Sequence, residues 1–347
     1  MTSGQEPLSY AGAGVDIDAK MRAVARAKEA IRSTFTSGVV GDVGGFGGLF
    51  RPDFSGLEDP LLVASTDGVG TKLRVAVAAG IHDTVGQDLV NHCVNDILVQ
   101  GARPLFFLDY IAVGKMDEAV VGRILEGFAV ACRENGCALL GGETAEMPGV
   151  YAPGDYDLAG TIVGVVDRPK LLDSSRVREG DLLLGLPSSG LHTNGYSLAR
   201  KVFFEVAKLS PLDFVPEIGA TVSGALLAVH RSYLRPVLPL VEEGLLSAMA
   251  HVTGGGFPDN LPRVLPDGLD AVVRPDAWAW PPLFRFLQTK GNVSREEMLR
   301  VFNCGIGMVL VVPGSSAAAV KGRLDAAGEA WTDIGRIVPG GRRVRFE

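Results

Sequence analysis

The stretch VASTDGVGTKLRVA, Val63 to Ala76, joins an apolar run to an acid, two glycines and a Thr-Lys pair. This order is typical of a strand that leads into a phosphate-binding corner. No window of the chain matches the phosphate loop G-x-x-x-x-G-K-[ST]. A phosphate site at this corner would therefore belong to another kind of fold.

Length and composition predict two domains with cores of their own. The chain has 347 residues, of which 47% are hydrophobic and 21% charged, so it is long and apolar enough for two domains and is not a disordered protein. Its 45 glycines cluster beside acids and threonines. Glycines in such places let the backbone approach a ligand closely, although many serve only tight turns.

Charge and cysteine content exclude several classes of protein. A net charge of -7 argues against nucleic acid as a partner, because phosphate-backbone binding needs a basic face. The four cysteines form no C-x-x-C pair and are expected to be reduced, mostly buried thiols of a cytoplasmic protein. The N-terminus predicts no signal peptide, and no apolar run reaches the ~18 residues of a membrane span, so no membrane is expected.

Helical and strand patterns alternate along the chain, which predicts an α/β protein of two mixed domains. A polar segment with a proline, residues 167–181, predicts the passage between a domain at 1–167 and a domain at 168–347. Asp18 is the expected N-cap of the first helix. A long helix over residues 224–244, kinked or ended by Pro236 and Pro239, is expected in the second domain.

A polar stripe is predicted on the helix that follows the opening motif. Asp88, Asn91, His92, Asn95 and Asp96 share one side of this helix, and apolar residues cover the other. The stripe could be a solvated face, but it has no Lys or Glu. Since Asp and Asn are mediocre helix formers, their concentration favours a stripe that makes contacts.

Three carboxylates, Asp67, Asp96 and Glu143, lie at predicted strand or helix ends near glycines. Such hard oxygen ligands suit Mg²⁺ that also holds nucleotide phosphates, although ordinary turn acids would look the same. Lys72 could reach a phosphate as a point charge, but a lone lysine at a helix start is uninformative.

Glycine-rich loops supply further candidates. GDVGGFGGLF, residues 41–50, could close over a nucleotide or be a disordered surface loop. PSSGLHTNGYSLAR, residues 187–200, places His192 and Asn194 before a helix N-terminus, which suits an anion, and HVTGGGF, residues 251–257, is similar. A serine hydrolase is disfavoured because G-x-S-x-G is absent.

Together these motifs resemble those of the phosphoribosylformylglycinamidine cyclo-ligases, the AIR synthetases of purine biosynthesis. The motifs, in order, are AGVDIDA, GGFGGLF, TDGVGTKL, CVNDILVQGA, GGETAEMPG, SSG with H and NGYSL, TGGGF, FLQTKGNV and FNCGIGM. The resemblance runs from about Tyr10 to the end of the chain. Phe286 stands where the family is expected to have tryptophan, so an aromatic ring is kept at this position.

The resemblance implies an enzyme that uses ATP and Mg²⁺ to cyclise formylglycinamidine ribonucleotide (FGAM) to 5-aminoimidazole ribonucleotide (AIR), with ADP and phosphate as the other products. An iminophosphate intermediate is implied, since phosphorylation turns the formamide oxygen into a leaving group. A homodimer is also implied, in which strands of the N-terminal domains pair into a shared barrel. The opening motif would be the phosphate and Mg²⁺ corner of this fold.

The resemblance also assigns roles to residues of this chain. The catalytic candidates are Asp67, Lys72 and His192, with His192 as the proton-transfer group. The candidates for ATP binding are Lys28, Gly44, Gly45, Gly47, Gly48, Gly68, Gly70, Thr71 and Asn95. The candidates for FGAM binding are Glu143, His192, Asn194, Gly195, His251, Thr253, Gly254 and Gly255, and the candidates for metal binding are Asp67, Asp96 and Glu143.

The main alternative is a small-molecule kinase or phosphotransferase of the same superfamily, which includes selenophosphate synthetase and thiamine-monophosphate kinase. These relatives tend to carry Asp-x-Thr/Ser where this chain has His251-Val252-Thr253. The difference argues against a kinase or a selenophosphate synthetase. It also means that this chain lacks one acid of the second domain that helps to hold the metal in those relatives. A nucleotide-binding scaffold without turnover would lack the acids of the phosphate corner, and Asp67 and Asp96 are present.

Overall fold

The computed structural model describes residues 8–347, so part of the N-terminal segment considered for a signal peptide lies outside the described residues. Two sheets organise the chain, one of four strands between residues 60 and 167 and one of six strands between residues 182 and 346. We call residues 8–167 the N-terminal half and residues 168–347 the C-terminal half. Both halves mix helices and strands, which confirms the predicted α/β class.

The N-terminal half contains six strands and four helices. The strands are β1 (Val39–Val40), β2 (Leu49–Phe50), β3 (Pro60–Gly68), β4 (Arg103–Val113), β5 (Ala138–Glu146) and β6 (Tyr156–Asp167). The helices are α1 (Ile17–Arg32), α2 (Leu73–Ala79), α3 (Asp83–Leu98) and α4 (Glu118–Glu134). The sheet has the order β3-β6-β4-β5, with β4 and β5 parallel and the other pairs antiparallel.

The C-terminal half contains a larger sheet with the order β10-β12-β7-β13-β11-β14. Its strands, with a separate hairpin of β8 and β9, are β7 (Leu182–Pro187), β8 (Phe214–Val215), β9 (Ala220–Thr221), β10 (Ala248–His251), β11 (Leu269–Val273), β12 (Ile306–Val312), β13 (Thr332–Pro339) and β14 (Val344–Phe346). The helices are α5 (Tyr196–Arg200), α6 (Val222–Leu226), α7 (Leu234–Glu242), α8 (Gly256–Asn260), α9 (Pro282–Gly291), α10 (Arg295–Val301) and α11 (Ala317–Ala326). No helix among residues 8–347 is long and apolar enough to cross a bilayer.

One local expectation is corrected and another is confirmed. The N-cap of α1 is Asp16, whose carboxylate accepts a hydrogen bond from the Ala19 amide, so Asp18 lies in the first turn. The four cysteines are buried and unpaired, as expected.

The prediction of one long helix over residues 224–244 is wrong, because the chain forms α6 and α7 with a non-helical segment between them. We call residues 227–233 the interdomain segment. The carboxylate of Asp88 accepts a hydrogen bond from the His230 amide at 2.7 Å, and the Asn91 side chain donates to the His230 carbonyl at 2.7 Å. These bonds replace helical ones, so the segment is held by tertiary contacts that local sequence does not reveal.

The polar stripe of α3 faces the C-terminal half. Asp88, Asn91, His92 and Asn95 are buried, so the stripe is not a solvated face. Asn95 accepts a hydrogen bond from the Tyr233 amide at 2.9 Å and donates to the Arg231 carbonyl at 2.8 Å. The stripe therefore holds the two halves together by completing the backbone hydrogen bonds of the interdomain segment.

Lys72 and Asp88 form a fully buried ion pair beside the same segment. The Lys72 Nζ atom lies 2.7 Å from Asp88 Oδ2 and donates to the carbonyls of Ala228 at 2.8 Å and His192 at 3.2 Å. Burial lowers the pKa of Lys72 and raises that of Asp88, and the attraction between the two charges opposes both shifts.

Helices α3 and α4 approach closely at two glycines. A Cβ atom at Gly86 of α3 would overlap the carbonyl oxygen of Ile124, and one at Gly127 of α4 would overlap the carbonyl oxygen of Asp83. Gly122, also in α4, has open space around it. The crossing therefore depends on the absence of side chains at two positions.

Gly86→Ala is expected to lower the free energy of unfolding by about 1–3 kcal/mol, because the backbones must move apart. Gly122→Ala is the matched control and should raise it by about 0.5–1 kcal/mol through the better helix propensity of alanine. Urea denaturation of both variants measures the difference. Equal effects at the two positions would contradict the close-packing argument.

Lys72→Met and Asp88→Asn are each expected to destabilise the protein by about 3–5 kcal/mol, because each leaves a charge or polar group buried without its partner. The exposed ion pair of Arg168 with Asp59 supplies the control, and Arg168→Ala should cost at most about 1 kcal/mol. Chemical denaturation followed by circular dichroism compares the three variants. A loss below 1 kcal/mol in both buried variants would show that the pair does not hold the halves together.

Candidate active site

A cavity of about 800 Å³ opens between the two halves and is lined by both. Its polar lining residues are Ser65, Asp67, His92, Asp96, Gln100, Asp173, Ser174, Asn194, His251, Thr253, Asn260 and Arg263. The volume falls in the range of small-molecule sites. The cavity is therefore the main candidate for ligand binding.

Acids and imidazoles alternate along one wall of the cavity. Asp67, at the end of β3, contacts His92 Nε2 of α3 at 2.6 Å. Asp96, one turn after His92, lies 3.5 Å from the same nitrogen. The other oxygen of Asp96 lies 2.8 Å from Nδ1 of His251, the last residue of β10. This row of side chains crosses from the N-terminal to the C-terminal half.

Hydrogen bonds keep the two acids ionised. Burial opposes the charge on Asp67, but the hydrogen bond and charge of His92, the Gly68 amide and the charge of His251 together outweigh it and lower the pKa of Asp67. The pKa of Asp96 is lowered in the same way by His251. Burial opposes the charge on His92 as well, but the hydrogen bond to Asp67 and the charges of both acids raise its pKa. The corner of Asp67 and Asp96 is thus anionic at neutral pH.

Two further imidazoles lie behind this wall. His230 of the interdomain segment contacts His251 between their Nε2 atoms at 3.1 Å and stacks on His192 with ring centroids 4.0 Å apart. Sequence reasoning missed His230, because it lies in a stretch that predicted an ordinary helix. The only available signal was that the chain has just five histidines.

His192 is enclosed and does not line the cavity. Burial, together with nearby cationic groups, lowers its pKa well below the usual value, so it is neutral at pH 7. Its Nε2 accepts a hydrogen bond from the Ser189 amide at 3.3 Å, and its Nδ1 has no partner within residues 8–347. Its role in proton transfer stays a prediction that this enclosure does not favour.

Lys72 is likewise unavailable at the phosphate corner in this structure. Its ammonium group is fully buried against Asp88 and two carbonyls. The expectation that it reaches a phosphate as a point charge is therefore not met by this geometry. Asn95 is also fully occupied by the interdomain segment rather than free for a nucleotide.

Glu143 does not join Asp67 and Asp96. It lies on β5, whereas Asp67 lies on β3, and the order β3-β6-β4-β5 separates these strands by three spacings, or about 14 Å. Glu143 contacts Lys20 at 2.5 Å instead. The expected site of three carboxylates within one chain is therefore corrected to a pair, Asp67 and Asp96.

The glycine-rich loop of residues 44–48 also lies toward the β5 edge. A Cβ atom at Gly48 would overlap Leu140 of β5, while Gly44, Gly45 and Gly47 are exposed. Lys28 of α1 contacts Asp42, just before this loop, at 3.4 Å. These candidates form a second group that is separate from the cavity wall.

The remaining candidates lie at the two ends of the cavity wall. Gly70 has a positive φ of 70°, the Gly68 amide donates to Asp67 at 2.7 Å, and the Thr71 hydroxyl lies 3.2 Å from that of Ser197. In the C-terminal half, the N-cap residues Gly195 of α5 and Gly255 of α8 both have left-handed backbones, with φ of 81° and 88°.

These turns bring two expected loops together. A Cβ atom at Gly254 would lie 3.0 Å from Asn194 Oδ1, so the loops of residues 187–200 and 251–257 touch. Asn260 donates to the carbonyls of Thr253 and Gly254 at 3.4 and 3.2 Å. The structure therefore groups Asn194, Gly195, Thr253, Gly254 and Gly255 on one side of the cavity.

Comparison with solved structures supports the fold. The chain is similar to thiamine-monophosphate kinase from Stenotrophomonas maltophilia, with 17% identity, a TM-score of 0.66, and 94% of this chain and 96% of that chain covered. It is equally similar to the hydrogenase maturation protein HypE in complex with ATP, with 20% identity, a TM-score of 0.66, and 94% and 91% covered. At these identities the likeness concerns the fold alone.

Sequence comparison is more specific. The family models for the N-terminal and C-terminal domains of AIR synthase related proteins match residues 54–166 and 178–346. Phosphoribosylformylglycinamidine cyclo-ligases from Alkaliphilus metalliredigens and Desulfatibacillum aliphaticivorans are 49% and 50% identical, over 97% and 96% of this chain and 97% and 96% of the relatives. The chain therefore belongs to the phosphoribosylformylglycinamidine cyclo-ligase family.

Proposed function

We propose that this protein is an ATP-dependent cyclo-ligase that converts FGAM to AIR, ADP and phosphate in purine biosynthesis. The observation that carries the proposal is the cavity between the halves, which places Asp67, Asp96, Asn194 and Thr253 on its walls in a chain about half identical to cyclo-ligases over nearly its full length. The superfamily kinases are matched only at the level of fold.

The donor groups of the cavity fit a nucleotide with a divalent cation. Asp67 and Asp96 are ionised and line the cavity, so they are the residues that would hold Mg²⁺. Bound there, Mg²⁺ would neutralise charge on the phosphates of ATP. Gly70 and Thr71, which begin the short helical turn after β3, offer backbone N–H groups to those phosphates, and the Gly68 amide orients Asp67.

The opposite side of the cavity suits the ribose phosphate of FGAM. Asn194, Gly195 and Thr253 to Gly255 precede the first turns of α5 and α8. The amides of Asn194, Gly195, Gly254 and Gly255 make no hydrogen bond within residues 8–347 and can bind an anion, whereas the Thr253 amide donates to the His251 carbonyl. Two ligands held on facing walls would react without a bimolecular encounter. The ring closure itself is intramolecular, so the enzyme contributes mainly by positioning the formyl and amidine groups and by excluding water.

We also propose that the halves are two domains that divide between residues 167 and 168, and that the protein works in the cytoplasm. Separate sheets in the two halves support the first proposal. Four buried, unpaired cysteines support the second, because thiols stay reduced in that compartment.

A homodimer is the third proposal, supported by the face of the N-terminal sheet that its helices leave open. Leu62 of β3 and Leu108 and Tyr110 of β4 are 64%, 37% and 38% exposed. Ala64 and Val163 continue the same face, since Ala64 pairs with Val163 and Leu62 with Val165. An exposed apolar sheet face of this kind suits burial against the same face of a second copy of the chain.

The first test is the reaction itself. Purified protein with FGAM, ATP and Mg²⁺ is expected to form AIR, measured through its diazotisable amine, and ADP in equal amounts.

Asp67→Asn should lower kcat/KM for AIR formation at least about 100-fold, because one ligand of the Mg²⁺ that neutralises the phosphate charge is lost. Asp267→Asn, at a fully exposed acid, is the matched control and should leave the rate unchanged.

ADP formation without AIR would contradict the cyclo-ligase assignment and favour a phosphotransferase. Unchanged activity in folded Asp67→Asn protein would remove Asp67 from the site.

The dimer is tested by Leu62→Asp, which places a charge on the open sheet face. This change is expected to raise the dissociation constant of the dimer at least about thirtyfold, measured by analytical ultracentrifugation. Leu212→Asp, at an exposed leucine of the C-terminal half, should leave the dimer unchanged. A Leu62→Asp protein that remains dimeric would show that this face is not the interface.

A further inference from the structure

The cavity between the halves contains one permanently charged cation. The acids of its lining are Asp67, Asp96 and Asp173. Among the described residues that line it, Arg263 is the one lysine or arginine. Lys72, which the sequence placed near a phosphate, is enclosed with Asp88 instead. A cavity expected to hold anionic ligands therefore offers them a permanent positive charge at one position.

The guanidinium group of Arg263 is exposed and has no partner within residues 8–347. Asp267, a nearby acid in the sequence, contacts Arg342 at 3.8 Å. Asp173, which also lines the cavity, accepts a hydrogen bond from the Ser175 amide at 2.8 Å and forms no ion pair with Arg263. The charge and the N–H donors of Arg263 are therefore available to a ligand.

The backbone around Arg263 is held in place by its neighbours. Leu261 and Leu265, on either side of it, are fully buried. The carbonyl of Pro262 accepts hydrogen bonds from the Arg342 side chain at 3.0 Å and from the Leu265 amide at 3.3 Å. A binding group on a fixed backbone loses less conformational freedom when a ligand binds. The position of Arg263 is thus suited to binding.

Arg263 lies beside the turn whose amides are unpaired. Asn260 ends α8, and Arg263 follows three residues later in a short helical turn, so their side chains lie on the same side, with Cβ atoms about 5–6 Å apart. The Asn260 side chain accepts a hydrogen bond from the Thr253 hydroxyl at 3.1 Å and donates to the Gly254 carbonyl at 3.2 Å. The amides of Gly254 and Gly255 make no hydrogen bond within residues 8–347. The guanidinium group and these amides therefore border the same part of the cavity.

This combination of donors suits a phosphate monoester. Such a group carries about 1.5–2 negative charges at pH 7, and its terminal oxygens are strong acceptors of hydrogen bonds. Arginine binds phosphate through paired N–H donors, and backbone amides supply further donors to the remaining oxygen. A carboxylate has less charge and fewer oxygens, so it would use fewer of these groups. The Mg²⁺ that Asp67 and Asp96 would hold serves the phosphates of ATP, so the phosphate of a second ligand needs a cation of its own.

We propose that Arg263, together with the amides of Gly254 and Gly255, binds the phosphate of a ribose 5-phosphate ligand and selects that ligand over the unphosphorylated nucleoside. The inference rests on the proposed function, in which this ligand is FGAM. The phosphate of FGAM is remote from the formyl and amidine groups that react, so its contacts are the same in the ground state and the transition state. Losing such uniform contacts raises KM and leaves kcat nearly unchanged.

The first experiment measures AIR formation by Arg263→Met protein. KM for FGAM is expected to rise about 10–100-fold, because a charge-assisted contact with paired donors is lost. KM for ATP and kcat should stay close to those of the original protein. Arg263→Lys, which keeps the charge but not the paired donors, should show an intermediate KM for FGAM. Arg285→Met, at an exposed arginine of α9 outside the cavity lining, is the matched control and should change neither KM.

A binding measurement separates this inference from the reaction. The protein is titrated with ribose 5-phosphate, without ATP or FGAM, and followed by phosphorus-31 NMR. Arg263→Met should weaken the binding of ribose 5-phosphate at least about tenfold, whereas Arg285→Met should leave it unchanged. If the original protein binds ribose 5-phosphate through Arg263 but forms no AIR, the cyclo-ligase proposal fails and the phosphate site stands.

Other results would overturn the inference. One is an unchanged KM for FGAM in Arg263→Met protein that circular dichroism shows to be folded. Another is a rise in KM for ATP in place of the rise for FGAM. Equal affinity of Arg263→Met and Arg285→Met proteins for ribose 5-phosphate, or no binding of ribose 5-phosphate by the original protein, would overturn it as well.

Discussion

The structure depends on the hydrogen bonds that the polar side of α3 makes with the interdomain segment. Residues 227–233 are not helical, so their amides and carbonyls need partners, and Asp88, Asn91 and Asn95 supply them. An unpaired buried backbone group costs about as much as a lost hydrogen bond, so these contacts are strongly specified. They also position one wall of the cavity, since α3 carries His92 and Asp96 on the same side.

Much of this arrangement follows from local sequence. The strand that leads into the opening motif, the helix that follows it and the polar stripe on that helix can all be predicted from periodicity, because apolar residues recur at the spacing that each element needs. The candidate pair Asp67 and Asp96 was readable too, because one acid ends a strand and the other shares a helical side with His92.

The errors have a common physical origin in contacts between distant parts of the chain. Residues 224–244 are apolar with helical spacing, and nothing local shows that α3 would bind the backbone at His230. Lys72 follows glycines, as many phosphate-binding lysines do, yet Asp88, sixteen residues later, pairs with it in the interior. Glu143 failed to join the acids because strand order, which local patterns do not specify, placed β5 at the far edge of the sheet.

The interdomain segment has a consequence for how such a chain can change over evolutionary time. Its backbone belongs to the C-terminal half, while the groups that complete its hydrogen bonds belong to the N-terminal half. Expressed alone, the N-terminal half would expose the side chains of Lys72 and Asp88, and the C-terminal half would expose the unsatisfied amides of the interdomain segment. The two halves must therefore be inherited as one piece, and a gene that exchanged one of them for a distant relative's copy would also have to exchange the matching side of α3.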